Sequence, residues 1–123
     1  MSTIVIVLAA VFFLGMGSFA LASPAALIRP FGITLPIPES RAEVRAVYGG
    51  FGLAIAGVLA LAASDAALRD GIVITVAAAL GGMAFGRLAS GVVDRPTAFY
   101  PNWFYFLVEV VAAAALLWVA RGH

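Results

Sequence analysis

Two charged residues stand alone inside long apolar stretches of this chain. Arg87 is the only charge in residues 71–93, and Glu109 is the only charge in residues 97–120. A charge at membrane depth costs free energy unless it is paired, so it marks a candidate functional site. Arginine keeps its charge when buried and binds a carboxylate through a fork of two hydrogen bonds. We therefore predict that Arg87 and Glu109 form an ion pair between two helices.

The rise of an α-helix places these two charges at similar depth in one leaflet. Arg87 lies seven residues before Asp94, which is about 10 Å along a helix. Glu109 lies six residues after Trp103, which is about 9 Å inward from the same side. Another helix begins at that end with polar residues in its first two turns. The predicted polar intramembrane cluster comprises Arg45, Tyr48, Arg87, Asp94 and Glu109.

The sequence leaves two interpretations of this cluster open. It is either a structural ion pair that fixes one helix to the next, with Arg87 also able to extend its stem toward the headgroups, or a site with its own chemistry. In the second case Glu109 carries a proton or holds a cation, while Arg87 attracts an anion or holds Glu109 ionised.

The composition indicates a membrane protein. Of the 123 residues, 64% are hydrophobic and 11% are charged, and the mean hydropathy is +1.13. Soluble domains carry about 25% charged residues, and so short a soluble chain could not bury this much apolar surface. The lipid bilayer is therefore the expected partner. The net charge of +1 argues against a nucleic-acid partner.

The residue types also limit the chemistry. The chain has no cysteine, and its single histidine, His123, is the last residue. Thiolate metal sites, iron–sulfur clusters and histidine ligands within the membrane are therefore not expected. We expect no metal, no cofactor and no catalytic residue, since an enzyme would have to use Asp94 or Glu109 as its acid or base. All seven basic residues are arginine, which suits buried pairing or reflects a GC-rich genome.

Four apolar stretches reach the roughly 20 residues that a spanning helix needs. They predict an all-α polytopic membrane protein, a four-transmembrane-helix bundle that forms a single integral membrane domain over residues 1–123. The helices are predicted near residues 3–23, 41–64, 70–94 and 98–120, with a long first loop at 24–40. This loop is apolar and rich in proline, so it lies in the membrane interface, folds back as a lid or runs over the surface as a plain loop.

Two further patterns concern helix ends and helix packing. Ser40 and Glu43 have the spacing of a capping box at the start of helix 2. Small residues recur at every fourth position of helices 2 and 3, a pattern that lets helix backbones approach closely. The predicted packing residues are Ala46, Gly50 and Ala54 in helix 2, and Ala78, Gly82, Gly86 and Ser90 in helix 3.

The most distinctive stretch is residues 43–50, with the pattern E-x-R-A-x-Y-G-G. Together with Arg87, Asp94 and Glu109 in the later helices, it resembles a family of small bacterial membrane proteins named domain of unknown function 4345 (DUF4345). The resemblance runs over nearly the whole chain. It implies a multi-pass, four-helix protein of the bacterial cytoplasmic (inner) membrane, and it implies no activity.

The arginines also predict an orientation. Four lie around the first and third loops, and two lie on the opposite side with the chain termini: Arg29, Arg41, Arg45 and Arg95, against Arg69 and Arg121. Cytoplasmic loops of membrane proteins carry an excess of Lys and Arg. The arginine-rich side is therefore predicted to be cytoplasmic, and both termini periplasmic.

Two functions remain open on this evidence. The first is a membrane accessory, packing or assembly module without catalytic apparatus, in a homo-oligomer or a larger membrane complex. The alternative is a small homo-oligomeric proton-coupled transporter that uses the Glu/Arg cluster in one leaflet. A water-accessible cavity that reaches Glu109 would favour transport. A covered, fully paired cluster with an exposed small-residue ridge would favour the module.

Overall fold

Four long helices make up most of the computed structural model, which describes residues 2–122. His123, the residue that the sequence excluded as a ligand, lies outside the described residues. Each helix is long and apolar enough to cross a membrane, and residues 2–122 contain no strand. The helices are α1 (Ser2–Ala22), α2 (Pro38–Ser64), α3 (Ala66–Val93) and α4 (Phe99–Arg121). The predicted all-α bundle of four membrane-spanning helices is confirmed.

The start of α2 differs from the predicted capping box. The helix begins at Pro38, where a missing N–H costs nothing because the first turn of a helix leaves its donors unpaired. Ser40 therefore lies inside the first turn, and its backbone N–H donates to the carbonyl of Ile37 at 3.1 Å. No side chain caps this end, and Glu43 is exposed. The assignment of Ser40 and Glu43 as capping residues is wrong.

A single residue, Asp65, connects α2 to α3. Its carboxylate accepts a hydrogen bond from the backbone N–H of Ala67 at 3.0 Å, so it caps α3 and starts that helix earlier than predicted. Arg69 reaches back across the turn and donates to the carbonyl of Ala62 at 2.9 Å, which satisfies the end of α2. So short a connection makes α2 and α3 antiparallel neighbours.

The helices associate as two antiparallel pairs, α1 with α2 and α3 with α4. Contact between α2 and α3 joins the pairs, and contact between α1 and α4 is the smallest of the four. The largest fully buried side chains lie toward the end of the bundle that holds the chain termini: Ile6, Leu59, Val73, Leu116 and Val119. The apolar core therefore fills one end, and the other end, where the arginine-rich loops lie, is left for polar groups.

The small residues that the sequence assigned to packing do not pack within the chain. Every one of them is exposed: Ala46, Gly50, Ala54, Ala78, Gly82, Gly86 and Ser90. Helix α3 instead turns larger residues inward, among them Val73, Val76 and Leu80. Spacing alone could not reveal this, because both sets of residues recur at helical intervals. As an account of packing within the chain, that prediction is wrong.

Helices α1 and α2 approach each other closely at their glycines. A Cβ atom on Gly17 would lie 2.8 Å from the backbone oxygen of Gly49 and 2.9 Å from the backbone nitrogen of Leu53. A Cβ on Gly52 would lie 3.1 Å from the Cα of Gly17. Only glycine fits where two backbones meet this closely, so Gly17 and Gly52 fix the crossing point of the first pair. Gly49 lies beside them, against the side chain of Leu21.

Candidate functional site

Arg87 of α3 and Glu109 of α4 meet at the arginine-rich end of the bundle. The Nε atom of Arg87 donates to Oε1 of Glu109 at 2.9 Å and to Oε2 at 3.2 Å, and Nη2 donates to Oε2 at 3.1 Å. The guanidinium therefore engages both carboxylate oxygens along one edge. Hydrogen bonds between two charged groups in this two-point geometry are about twice as strong as neutral ones.

Asn102 is a third member of the cluster, and the sequence analysis missed it. Nη1 of Arg87 donates to Oδ1 of Asn102 at 3.3 Å. Asn102 lies in a wide π-helical turn, Phe99–Trp103, that opens α4. It precedes Glu109 by seven residues, about two helical turns, so it lies above Glu109 on the same face. That spacing was a signal that could have identified it.

The pair is covered by protein. The side chain of Glu109 is 5% exposed and that of Arg87 is 21% exposed. The rings of Phe31 and Tyr105 lie 5.6 and 5.7 Å from the guanidinium carbon, close enough for attraction between the cation and the aromatic faces. We name the group formed by Arg87, Glu109, Asn102, Phe31 and Tyr105 the Arg–Glu cluster.

The cover over Arg87 comes from the first loop. After α1 the chain forms a short helix, Pro24–Ile28, and then a single tight turn, Arg29–Phe31. Gly32 follows in the left-handed region with φ of 75°, a conformation that glycine adopts without strain. Phe31 is thereby placed on Arg87 and against Tyr105, with ring centres 5.7 Å apart. The segment up to Phe31 thus folds back onto the bundle, whereas residues 32–34 and 36–39 are exposed.

Three residues of the predicted polar cluster lie elsewhere. Nε of Arg45 donates to the carbonyl of Leu21 at 3.1 Å, so this side chain satisfies the end of α1. Asp94 is exposed at the end of α3 and accepts from the backbone N–H of Arg95 at 2.8 Å. Tyr48 is half-buried and, within residues 2–122, makes no hydrogen bond to the pair. Their inclusion was wrong because matched depth along the bundle does not fix the face on which Arg45 and Tyr48 lie, and because Asp94 lies beyond the last turn of α3.

A polar cavity of about 690 Å³ adjoins the cluster but stops short of the pair. Asn102 lines it, whereas neither Arg87 nor Glu109 does. Within the part of the chain that the structure describes, no three His, Asp or Glu residues are grouped so as to hold a metal ion. The arrangement can clamp α3 to α4, and Glu109 is not among the residues that line this cavity.

Comparison with known proteins gives one match. The family described as "Domain of unknown function (DUF4345)" matches residues 1–120, essentially the whole chain. No curated protein and no solved structure matches it.

Proposed function

This chain belongs to the DUF4345 family, and we propose that it serves as a packing or assembly module within a membrane complex. The observation that carries this proposal is the tight and covered ion pair between Arg87 and Glu109, held by three hydrogen bonds of 2.9 to 3.2 Å. A pair in this geometry joins two helices, and separating its buried charges is costly. In this proposal the charges of Arg87 and Glu109 stabilise the fold and take part in no reaction.

Proton-coupled transport would place different demands on Glu109. A carboxylate that carries protons must exchange them with water, and it must separate from its partner in each cycle. Glu109 is 5% exposed, both of its oxygens accept from Arg87, and the neighbouring cavity ends at Asn102. Removing one partner of such a buried pair costs several kcal/mol. These features support the module over the transporter, which remains the alternative.

The exposed ridge on α3 suggests where a partner helix packs. Cβ atoms built on Gly82 and Gly86 would meet nothing within 4 Å, and Ala78 and Ser90 continue the same row. In a bilayer, rows of small residues let two helices approach closely and gain dispersion contacts and weak hydrogen bonds. We therefore expect this row, which we name the α3 ridge, to meet a helix of a second copy or of another subunit.

The test is the mass of the assembly that a mild polymer extracts directly from membranes. We expect the parent to be found in assemblies larger than one chain. Gly82→Leu should shift it toward the monomer, because the larger side chain holds the partner helix away. Gly81→Leu is the matched control: Gly81 is also exposed with open space around it, but it points about 100° around the helix. A monomeric parent, or equal effects of both substitutions, would count against the module.

A further inference from the structure

The polar cavity beside the Arg–Glu cluster has a chemistry of its own. It lies where α3 ends at Val93 and α4 begins at Phe99, and the turn at Pro30 and Phe31 forms part of its wall. The ends of membrane-spanning helices lie at the level of the lipid headgroups. Its volume of about 690 Å³ falls in the range of about 300 to 1,000 Å³ typical of sites for small organic groups.

Asp94 and Arg95, one negative and one positive residue, are among those that line this cavity, and their side chains do not form an ion pair with each other. Asp94 and Arg95 are both exposed, and the hydrogen bond between them comes from the backbone N–H of Arg95 to Oδ1 of Asp94. Within residues 2–122 the guanidinium of Arg95 and the second carboxylate oxygen of Asp94 have no hydrogen-bond partner. The cavity therefore offers a donor group of positive charge next to an acceptor of negative charge.

We propose that this cavity binds a zwitterionic phosphate–ammonium group, with the phosphate on Arg95 and the ammonium on Asp94. A purely anionic ligand would lie against Asp94, and a purely cationic one against Arg95, so a ligand with both charges fits best. Arginine suits phosphate because its planar fork matches two phosphate oxygens. The rings of Tyr100 and Trp103 also line the cavity, and aromatic faces attract ammonium groups.

This chemistry has two sources, a lipid headgroup such as phosphatidylethanolamine and the soluble compound phosphoethanolamine. The position of the cavity at headgroup level is compatible with the first. Ser90 of the α3 ridge and Phe31 and Asn102 of the Arg–Glu cluster also line the cavity. The test of the proposal is still separate from that of the function proposed above, because its variants change Asp94 and Arg95, which belong to neither the Arg–Glu cluster nor the α3 ridge.

Native mass spectrometry of the full chain in a nonionic detergent tests the proposal. The protein is mixed with equal amounts of phosphatidylethanolamine and phosphatidylglycerol that carry identical acyl chains. Both lipids have the phosphate, but only the first has the ammonium. We expect adducts of phosphatidylethanolamine to exceed those of phosphatidylglycerol by about threefold, the size of effect that one exposed ion pair provides. Asp94→Asn should remove this preference, and Arg95→Gln should reduce both adducts about threefold.

Two control variants keep charge changes outside the cavity. Glu39 is exposed on the same side of the bundle, and Arg121 is exposed at the opposite end. Glu39→Gln and Arg121→Gln should bind both lipids as the parent does. Equal adducts of the two lipids on the parent, or an unchanged preference in Asp94→Asn, would overturn the proposal. Millimolar phosphoethanolamine separates the sources: if it displaces the lipid adduct, the ligand is the soluble compound, and if it does not, the ligand is the membrane lipid.

Discussion

Arg87 and Glu109 differ in how much free energy each would lose if its partner were removed. Glu109 is buried near the middle of α4, and its side chain is shorter than that of an arginine. Arg87 is partly exposed and has a long stem along which its charge can move toward the headgroups. The pair is therefore asymmetric: the arginine stabilises a carboxylate that has no other way to keep its charge solvated.

Replacing Arg87 with glutamine should be the most damaging single change in the cluster. We expect Arg87→Gln to lower the free energy of unfolding by about 3 kcal/mol, because it leaves the buried carboxylate without its partner. Glu109→Gln should cost less, since the freed arginine can extend toward water. The double variant should be more stable than Arg87→Gln alone. Unfolding in mixed detergent, followed by circular dichroism, measures all three. An Arg87→Gln protein as stable as the parent would contradict this account.

At this scale the sequence predicted the pair but not its surroundings. A lone charge in each of two apolar stretches was enough to join Arg87 with Glu109. Arg45 was assigned to the wrong place because its side chain donates to the main-chain carbonyl of Leu21. Every residue has such a carbonyl, so the residue type at position 21 could not identify this partner. Phe31 was unpredictable as a cover over Arg87, since its position depends on the path of a loop.

At the scale of the helices, the crossing of α1 and α2 explains the residue types in the most distinctive stretch of the sequence, residues 43–50. Residues 43–50 contain a wide π-helical turn, Arg45–Gly50, and such turns are rare insertions that reshape a helix locally. Gly49 lies against Leu21, and Arg45 donates to the carbonyl of Leu21. The pattern E-x-R-A-x-Y-G-G thus supplies both the small residue and the cation that receive the end of α1.

Gly17 gives a direct test of this crossing. We expect Gly17→Ala to destabilise the protein by about 1 to 3 kcal/mol, because the added Cβ would overlap main-chain atoms of α2 that cannot easily move. Gly15→Ala is the matched control on the same helix, where an added Cβ would meet nothing within 4 Å. Thermal unfolding in detergent compares them. Equal stability of the two variants would show that the backbones are not in close contact.

The corrected helix ends make a second prediction for the elements. Asp65→Ala should cost about 1 kcal/mol of stability, the usual effect of removing a side chain that caps a helix. Ser40→Ala should have no measurable effect, since the hydroxyl of Ser40 caps nothing. The same unfolding experiment distinguishes them. A larger loss for Ser40→Ala than for Asp65→Ala would restore the capping box that the sequence suggested.

The number of helices and their approximate bounds could be predicted from hydropathy. Which side of each helix is buried could not. Apolar length is a property of one helix, so the four spans could be predicted. Which side of α3 faces inward depends on its neighbours, and the rows at Gly82 and at Leu80 were equally helical in spacing. Two helices start earlier than predicted. The second begins at Pro38, ahead of the cap predicted at Ser40, and the third begins after Asp65 and not near residue 70.

The whole molecule is divided between an apolar end and a polar end. The buried core lies near the chain termini, while the Arg–Glu cluster, the polar cavity and the long loop lie at the other end. The side chains of Arg29 and Arg95 at the polar end make no hydrogen bond within residues 2–122, whereas Arg45 and Arg69 each satisfy the end of a helix. Donation to a neutral carbonyl leaves the charge of an arginine unchanged, so all the arginines at the polar end count toward the orientation.

We propose that the polar end faces the cytoplasm and both termini face the periplasm, as the excess of arginine at that end predicts. Alkaline phosphatase, which is active only after export, should be active in a bacterial host when it is fused after the C-terminus. It should be inactive when fused within the α3–α4 connection after Thr97. The reverse pattern of activities would show the opposite orientation.

The central claim is that the Arg–Glu cluster holds the protein together and does not carry protons. Proton flux into liposomes, followed with an internal pH-sensitive dye, tests it most directly. The parent and Glu109→Gln are reconstituted at equal density, with empty liposomes as the baseline and a proton ionophore to confirm that the dye responds. The account predicts that both proteins give the flux of empty liposomes. A flux in the parent that Glu109→Gln abolishes would contradict it and would establish the transporter.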